Sequence, residues 1–119
     1  MLKYTEDHEW LRAEGDEITV GITRHASEQL GDVVFIELPE EGREVAAGEE
    51  IVVIESVKAA SDIVAPVAGV ITAVNAALAD TPGDVNDDPM AAWFFRLKPT
   101  DAGAMEGFLD EAAYKALVE

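Results

Sequence analysis

Lys58 is the residue of this chain whose setting points to chemistry. It stands in ESVKAASDIVAP, residues 55–66, after the apolar run IVVI and ahead of a second apolar run, IVAPV. The chain has only four lysines against 25 acidic residues. Its neighbours Val57, Ala59 and Ala60 are not the Gly, Asn, Asp and Pro that dominate tight turns. A primary amine on a four-carbon stem, held at a tip by two paired strands, is presented in one geometry and suits acylation by a modifying enzyme. Acylation removes the charge and makes the amine part of a longer arm. The competing reading is an ordinary surface lysine on a turn.

Nothing else in the sequence assembles an active site. The histidines are His8 and His25, without the i, i+4 spacing of a zinc helix and without an evident third ligand. His8 could pair with Asp7 or Glu9, as surface histidines commonly do. The serines are Ser27, Ser56 and Ser61, none in a G-x-S-x-G elbow. There is no cysteine, hence no disulfide, thiol nucleophile or thiolate metal site. Dinucleotide and phosphate-binding glycine loops are missing as well. With so many acids, carboxylate pairs arise by chance and single out no residue.

The elements that must position Lys58 read as short strands. In EITVGIT, Ile18, Val20 and Ile22 share one parity, giving an apolar face opposite a polar one. HEWLRAE is its expected hairpin partner, turning at Gly15-Asp16. TRHASEQLG suits one or two helical turns ending at Gly31. DVVFIELP should follow as a strand, with Val34, Ile36 and Leu38 in register and Pro39 ending it. The runs at Ile51–Ile54 and 63–66 flank the lysine, and Pro66 punctuates the second. WFFRL should place Trp93, Phe95 and Leu97 on one face. From Thr100 the period becomes helical through Phe108, Leu109, Ala112, Ala113 and Leu117, with Thr100 or Asp101 as N-cap. The expectation is a single domain over residues 1–119: a small sandwich or barrel of strands with a helical appendix.

A net charge of −17 argues against nucleic acid and anionic membrane surfaces as partners. It permits steering toward basic faces, and equally serves solubility or a salty cytoplasm. The N-terminal MLKYTEDHEWLR resembles neither a signal nor a transit peptide, and no apolar run reaches membrane-span length. A cytoplasmic protein is expected.

ESVKAASD resembles the lipoyl-attachment segment of glycine cleavage system H proteins. The likeness runs through KYTEDHEWLR, VGITRHASEQLGDVVFIELPEEG, AGEEIVVIESVKAASDIVAPVAG and VNAALADTPGDVNDDP to the tail LDEAAYKALVE. Biotin carriers typically flank their lysine with methionines, where this chain has Val57 and Ala59. Lipoyl domains of 2-oxoacid dehydrogenases usually place an acid just before the lysine and lack the HEW and GITRHASEQLGD segments.

The resemblance implies a mainly β, barrel-sandwich hybrid (a lipoyl/biotinyl-type hammerhead) with short helices, one of them C-terminal. It implies lipoate in amide linkage to Lys58 and a carrier with no catalytic residue of its own. The arm would take the aminomethyl group of glycine from the pyridoxal-phosphate glycine decarboxylase to the tetrahydrofolate-dependent aminomethyltransferase. Dihydrolipoamide dehydrogenase would reoxidise it, and a monomer is expected. Glu55 and Ser56, ahead of the lysine, would help the lipoylating enzyme recognise the hairpin. The loaded arm carries a protonatable amine, which a cleft with carboxylates and apolar walls would protect. Glu9 is the first candidate acid and Asp62 the second, each against a reading as plain surface acid. Gly31 and Gly69 read as turn glycines, and Trp10 and Trp93 as core or cleft walls. The chain departs from the family at Met90-Ala91-Ala92, where an aromatic and glycine are usual. An octanoyl or lipoyl relay to other lipoyl domains is the alternative role.

Overall fold

The computed structural model describes residues 2–101, 103 and 107–118. In chain order come β1 (Leu2–Tyr4), β2 (Glu9–Glu14), β3 (Glu17–Ile22), α1 (Arg24–Leu30), β4 (Val33–Glu37), β5 (Glu44–Val45) and β6 (Glu50–Ser56). After them follow β7 (Ala60–Val64), β8 (Gly69–Val74), α2 (Ala77–Asp80), α3 (Asp84–Asp87), β9 (Phe95–Pro99) and α4 (Glu111–Val118). They form a six-stranded sheet in the order β1-β2-β3-β9-β8-β5 and a three-stranded sheet in the order β4-β6-β7. All pairings are antiparallel. Leu11, Val20 and Leu97 from the first sheet and Ile36, Ile54 and Ile63 from the second meet in one core. The architecture is therefore mainly β with four short helices, one of them C-terminal. No helix among the described residues is long and apolar enough to cross a membrane.

The hairpin of β2 and β3 turns at Gly15, whose φ of 61° suits glycine. Ile18, Val20 and Ile22 are buried as their parity requires, but the opposite face of β3 is not polar and solvated. Thr19 and Gly21 are buried too, and Trp10 stands over Gly21, its cross-strand partner. Trp10 is fully buried and its indole N–H donates to the Pro89 carbonyl at 3.0 Å. With Tyr4, Tyr114, Met90 and Trp93 it makes a second apolar cluster on the outer face of the larger sheet. Met90 packs against that cluster, and the chain re-enters the main core at Ala92 and Phe94.

α1 begins at Thr23, whose side chain accepts from the Ala26 N–H, and ends at Gly31 with φ 76°. Asn86 of α3 staples that end: its side chain donates to the Gly31 carbonyl at 2.7 Å and accepts from the Val33 N–H at 2.9 Å. β4 carries a bulge between Val33 and Phe35. The bulge shifts the parity, so Val33 and Ile36 face the core and Val34 is exposed, against the simple alternation. Trp93 likewise lies before β9, and only Phe95 and Leu97 alternate inward from it. The C-terminal helix starts later than its periodicity suggests. Leu109 bridges Tyr4 of β1, Asp110 accepts from the Ala113 N–H, and helix runs from Glu111. Thr100 and Asp101 are bend positions, and residues 102 and 104–106 of the expected helical stretch lie outside the described residues.

A Cβ on Gly21 would lie 2.4 Å from the Trp10 ring, so something must move. Gly21→Ala is expected to destabilise the fold by about 2 kcal/mol in urea unfolding, with a shift in tryptophan fluorescence. An unchanged midpoint would contradict the packing of Trp10 on β3.

Candidate functional site

β6 and β7 pair down to Glu55 and Ala60, and Val57-Lys58-Ala59 form the tip. Ser56 closes it. Its N–H donates to the Ala59 carbonyl at 2.8 Å, and its hydroxyl donates to the same carbonyl at 3.1 Å. The hydroxyl also accepts from the N–H groups of Lys58 and Ala59. Val57 is tied sideways, its N–H donating to the Asp32 carbonyl at 3.0 Å. A serine side chain thus does the work that glycine or proline does in other turns. Glu55 is exposed on the strand.

Lys58 is exposed and, among the described residues, makes no ion pair. Its aliphatic stem lies across Gly31: a Cβ there would sit 3.0 Å from the Lys58 Cε. Gly31 therefore serves twice, as the positive-φ end of α1 and as the bare surface on which the lysine rests. The sequence reading anticipated only the first.

β7 leads from the tip along a cavity of about 420 Å³. One wall is β7 itself, from Ser61 to Val64. The second is α1, through Ala26, Gln29 and Leu30. The third is the loop Asp7-His8-Glu9, with Ile22 behind it. Glu9 and Asp62, singled out for one cleft, do line the same cavity. Asp62 is exposed, whereas Glu9 is only 2% exposed. Trp10 and Trp93 belong to the outer cluster and not to this cavity.

Burial pushes the Glu9 carboxyl up to about 7, and the neighbouring Asp7 pushes the same way. Hydrogen bonds from the Thr5 hydroxyl and the Val64 backbone amide oppose the rise. A carboxyl with that value is divided between its protonated and ionised forms near neutral pH, and a nearby cation favours the ionised form. The apolar part of the lining is Ile22, Ala26, Leu30, Ile63 and Val64, and Asp7, His8, Gln29, Ser61 and Asp62 make up the polar part beside Glu9. A partly apolar cavity that holds a buried acid, along the strand that leads from an exposed lysine, suits a long aliphatic arm with a cationic load. No group of three or more His, Asp or Glu that could hold a metal occurs among the described residues.

One further contact ties the C-terminal helix to this site. Tyr114 of α4 reaches back to His8, with 2.9 Å between its hydroxyl and His8 Nδ1, and lies 2.7 Å from Thr23 Oγ1. These partners are 106 and 91 residues away along the chain, so no local pattern could reveal them.

A family model described as the glycine cleavage H-protein matches residues 2–119. The chain is 57% identical over 119 residues to "Glycine cleavage system H protein 2" of Pseudomonas aeruginosa, covering 99% of this chain and 92% of that one. It is 58% identical over 116 residues to the glycine cleavage system H protein of Aromatoleum aromaticum, covering 97% and 91%. The crystal structure of a glycine cleavage system H protein from Mycobacterium marinum is similar with a TM-score of 0.86 at 41% identity, covering 97% of this chain and 94% of that one. With the exposed lysine, the adjoining cleft and the two-sheet fold, these matches show that the chain belongs to the glycine cleavage H-protein family, which carries lipoate in the glycine cleavage system.

Proposed function

We propose that Lys58 carries lipoate in amide linkage and shuttles the aminomethyl group of glycine between enzymes. The donor is a pyridoxal-phosphate glycine decarboxylase, the acceptor a tetrahydrofolate-dependent aminomethyltransferase. A lipoylating enzyme attaches the arm and dihydrolipoamide dehydrogenase reoxidises it. The observation that supports this most is that β7, which leads away from the lysine tip, lines from Ser61 onward a cavity with a buried carboxyl. Attached at Lys58, lipoate would supply a disulfide able to carry the aminomethyl group. Every other contribution belongs to the chain's own residues.

The tip presents the amine in one orientation, because Ser56 and Asp32 hold the backbone on either side of it. Glu55, exposed one residue before that serine, gives the lipoylating enzyme an anionic handle, and Val57 and Ala59 keep the tip small and uncharged. Ile63, Val64 and Leu30 exclude water from the loaded arm. Glu9 gives up its proton and accepts a charge-assisted hydrogen bond from the bound ammonium, while Asp62 adds negative potential nearer the tip. The protein contributes positioning and protection, and its partners contribute the covalent chemistry. Tethering raises the effective concentration of the arm at each partner. A monomer suits this role, since three enzymes must reach one tip. The acidic surface suits partners with basic faces in the cytoplasm, and neither nucleic acid nor membrane is a partner.

Lipoylated protein incubated with glycine and the decarboxylase should gain the mass of one aminomethyl group and lose it to tetrahydrofolate when the transferase is added. Lipoylated protein that never loads would instead favour a relay of octanoyl or lipoyl groups to other domains. In the loaded protein, Glu9→Gln should release ammonia on the order of tenfold faster. A wild-type decay rate would remove Glu9 from this role.

Ionisation of Glu9 also marks stability. Below the ordinary carboxylate range Glu9 is protonated whether folded or unfolded and costs nothing. As pH rises from 4.5 toward about 7, the unfolded chain releases the proton and the folded chain keeps it, so stability falls. The full loss corresponds to about 3 kcal/mol. Glu9→Gln should therefore gain stability relative to the parent between pH 5 and 8, measured by urea unfolding at both values. A difference independent of pH would contradict the raised Glu9 pKa.

A further inference from the structure

We propose that the Tyr114 hydroxyl is a positioning group that fastens two walls of the arm cleft to each other from behind. One wall is the loop Asp7-His8-Glu9 and the other is α1. The Tyr114 hydroxyl lies 2.9 Å from Nδ1 of His8 in the first wall and 2.7 Å from Oγ1 of Thr23, the N-cap of the second. The backbone repeats the link, since the Thr23 N–H donates to the His8 carbonyl at 2.9 Å.

The proton count closes. Thr23 Oγ1 accepts the Ala26 N–H and donates to the tyrosine oxygen, and the tyrosine O–H donates to Nδ1 of a neutral His8. Burial beside His25, whose ring centroid is 4.5 Å from that of His8, favours the neutral form. His8 is the one non-glycine residue with positive φ among the described residues, at 68°. Such a conformation persists only where its surroundings over-determine it. The hydroxyl of Tyr114 is the partner of its ring, and the next residue along the chain is Glu9. Holding His8 in this conformation keeps Glu9 among the residues that line the cleft, across from β7.

α4 thus acts on the cleft without touching what the cleft holds. The ring of Tyr114 is secured separately, stacked on Tyr4 with centroids 4.6 Å apart and planes 12° apart. Removing only the hydroxyl should therefore leave the helix docked and loosen the walls. The titratable groups that line the cleft with Glu9 are Asp7 and the neutral His8 beside it in the chain and Asp62 on β7. α1 contributes the neutral Gln29 there, and His25 bears on Glu9 only through His8.

This inference rests on the arm-cleft reading for its functional consequence, but its decisive readout does not. Tyr114→Phe is compared with Lys115→Ala, which removes an exposed ion pair on the same helix. The Glu9 titration is followed by side-chain carboxyl NMR, and ammonia release by assay of the loaded arm. With the walls loosened, water reaches Glu9. The Tyr114→Phe midpoint should drop below the parent's and release should quicken about fivefold, with both at parent values in Lys115→Ala. A Glu9 midpoint unmoved in a folded Tyr114→Phe protein would overturn the proposal whatever the release rate. A moved midpoint supports it even if Glu9→Gln leaves release unchanged, and that second result would sink the role of Glu9 instead.

Discussion

β7 has one free edge, and the site is built on what faces it. The strand pairs with β6 alone, so its outer backbone groups need other partners. A further strand there would have closed the sheet and left no cleft. The Asp7-His8-Glu9 segment faces that strand instead, across the cavity that both line. The cavity between loop, helix α1 and strand β7 is lined from Ser61 onward, three residues past Lys58. One strand therefore does two things: its tip presents an amine to solvent and its edge lines the place where a load can be hidden.

Those two tasks make opposite demands on charge. The lysine must stand clear of the chain's many carboxylates to be reached by an enzyme, and it does, resting its stem on the bare surface of Gly31. Glu9 must stay close and dry, and it is buried at a cost in stability that a surface acid would not carry. Retention of an unfavourably placed carboxyl in a partly apolar cavity is what a cationic cargo would require. The fold offsets that cost through ordinary means: a core shared by two sheets, a tryptophan laid on a glycine, and helix ends capped by Thr23 and Gly31.

Much of this was legible in the sequence, because much of it is local. The β2–β3 hairpin, helix α1 with its glycine end, the strands on either side of Lys58 and the lysine tip itself all follow from period, turn chemistry and resemblance. Glu9 and Asp62 were also legible as members of one cleft, through the chemistry the arm needs. The errors share a physical cause. Val34 points outward because a bulge resets the parity of β4, and a bulge leaves no mark in an alternation pattern. Gly21 is buried because Trp10 lies over it, a contact across strands. Ser56 as turn closure, Asn86 as staple and Tyr114 behind the cleft are side chains whose partners are set by tertiary geometry. Single-sequence reasoning sees their types but not their neighbours.

The account turns on Lys58 being the point of attachment, and intact mass measures that most directly. The protein is purified from cells supplied with lipoate, beside a Lys58→Arg variant that keeps the charge and the hairpin. The account predicts a mass increase equal to one lipoyl amide in the parent and none in the variant. An unmodified parent, in cells whose other lipoyl proteins are modified, would contradict it and leave Lys58 as an ordinary turn lysine beside an unused cleft.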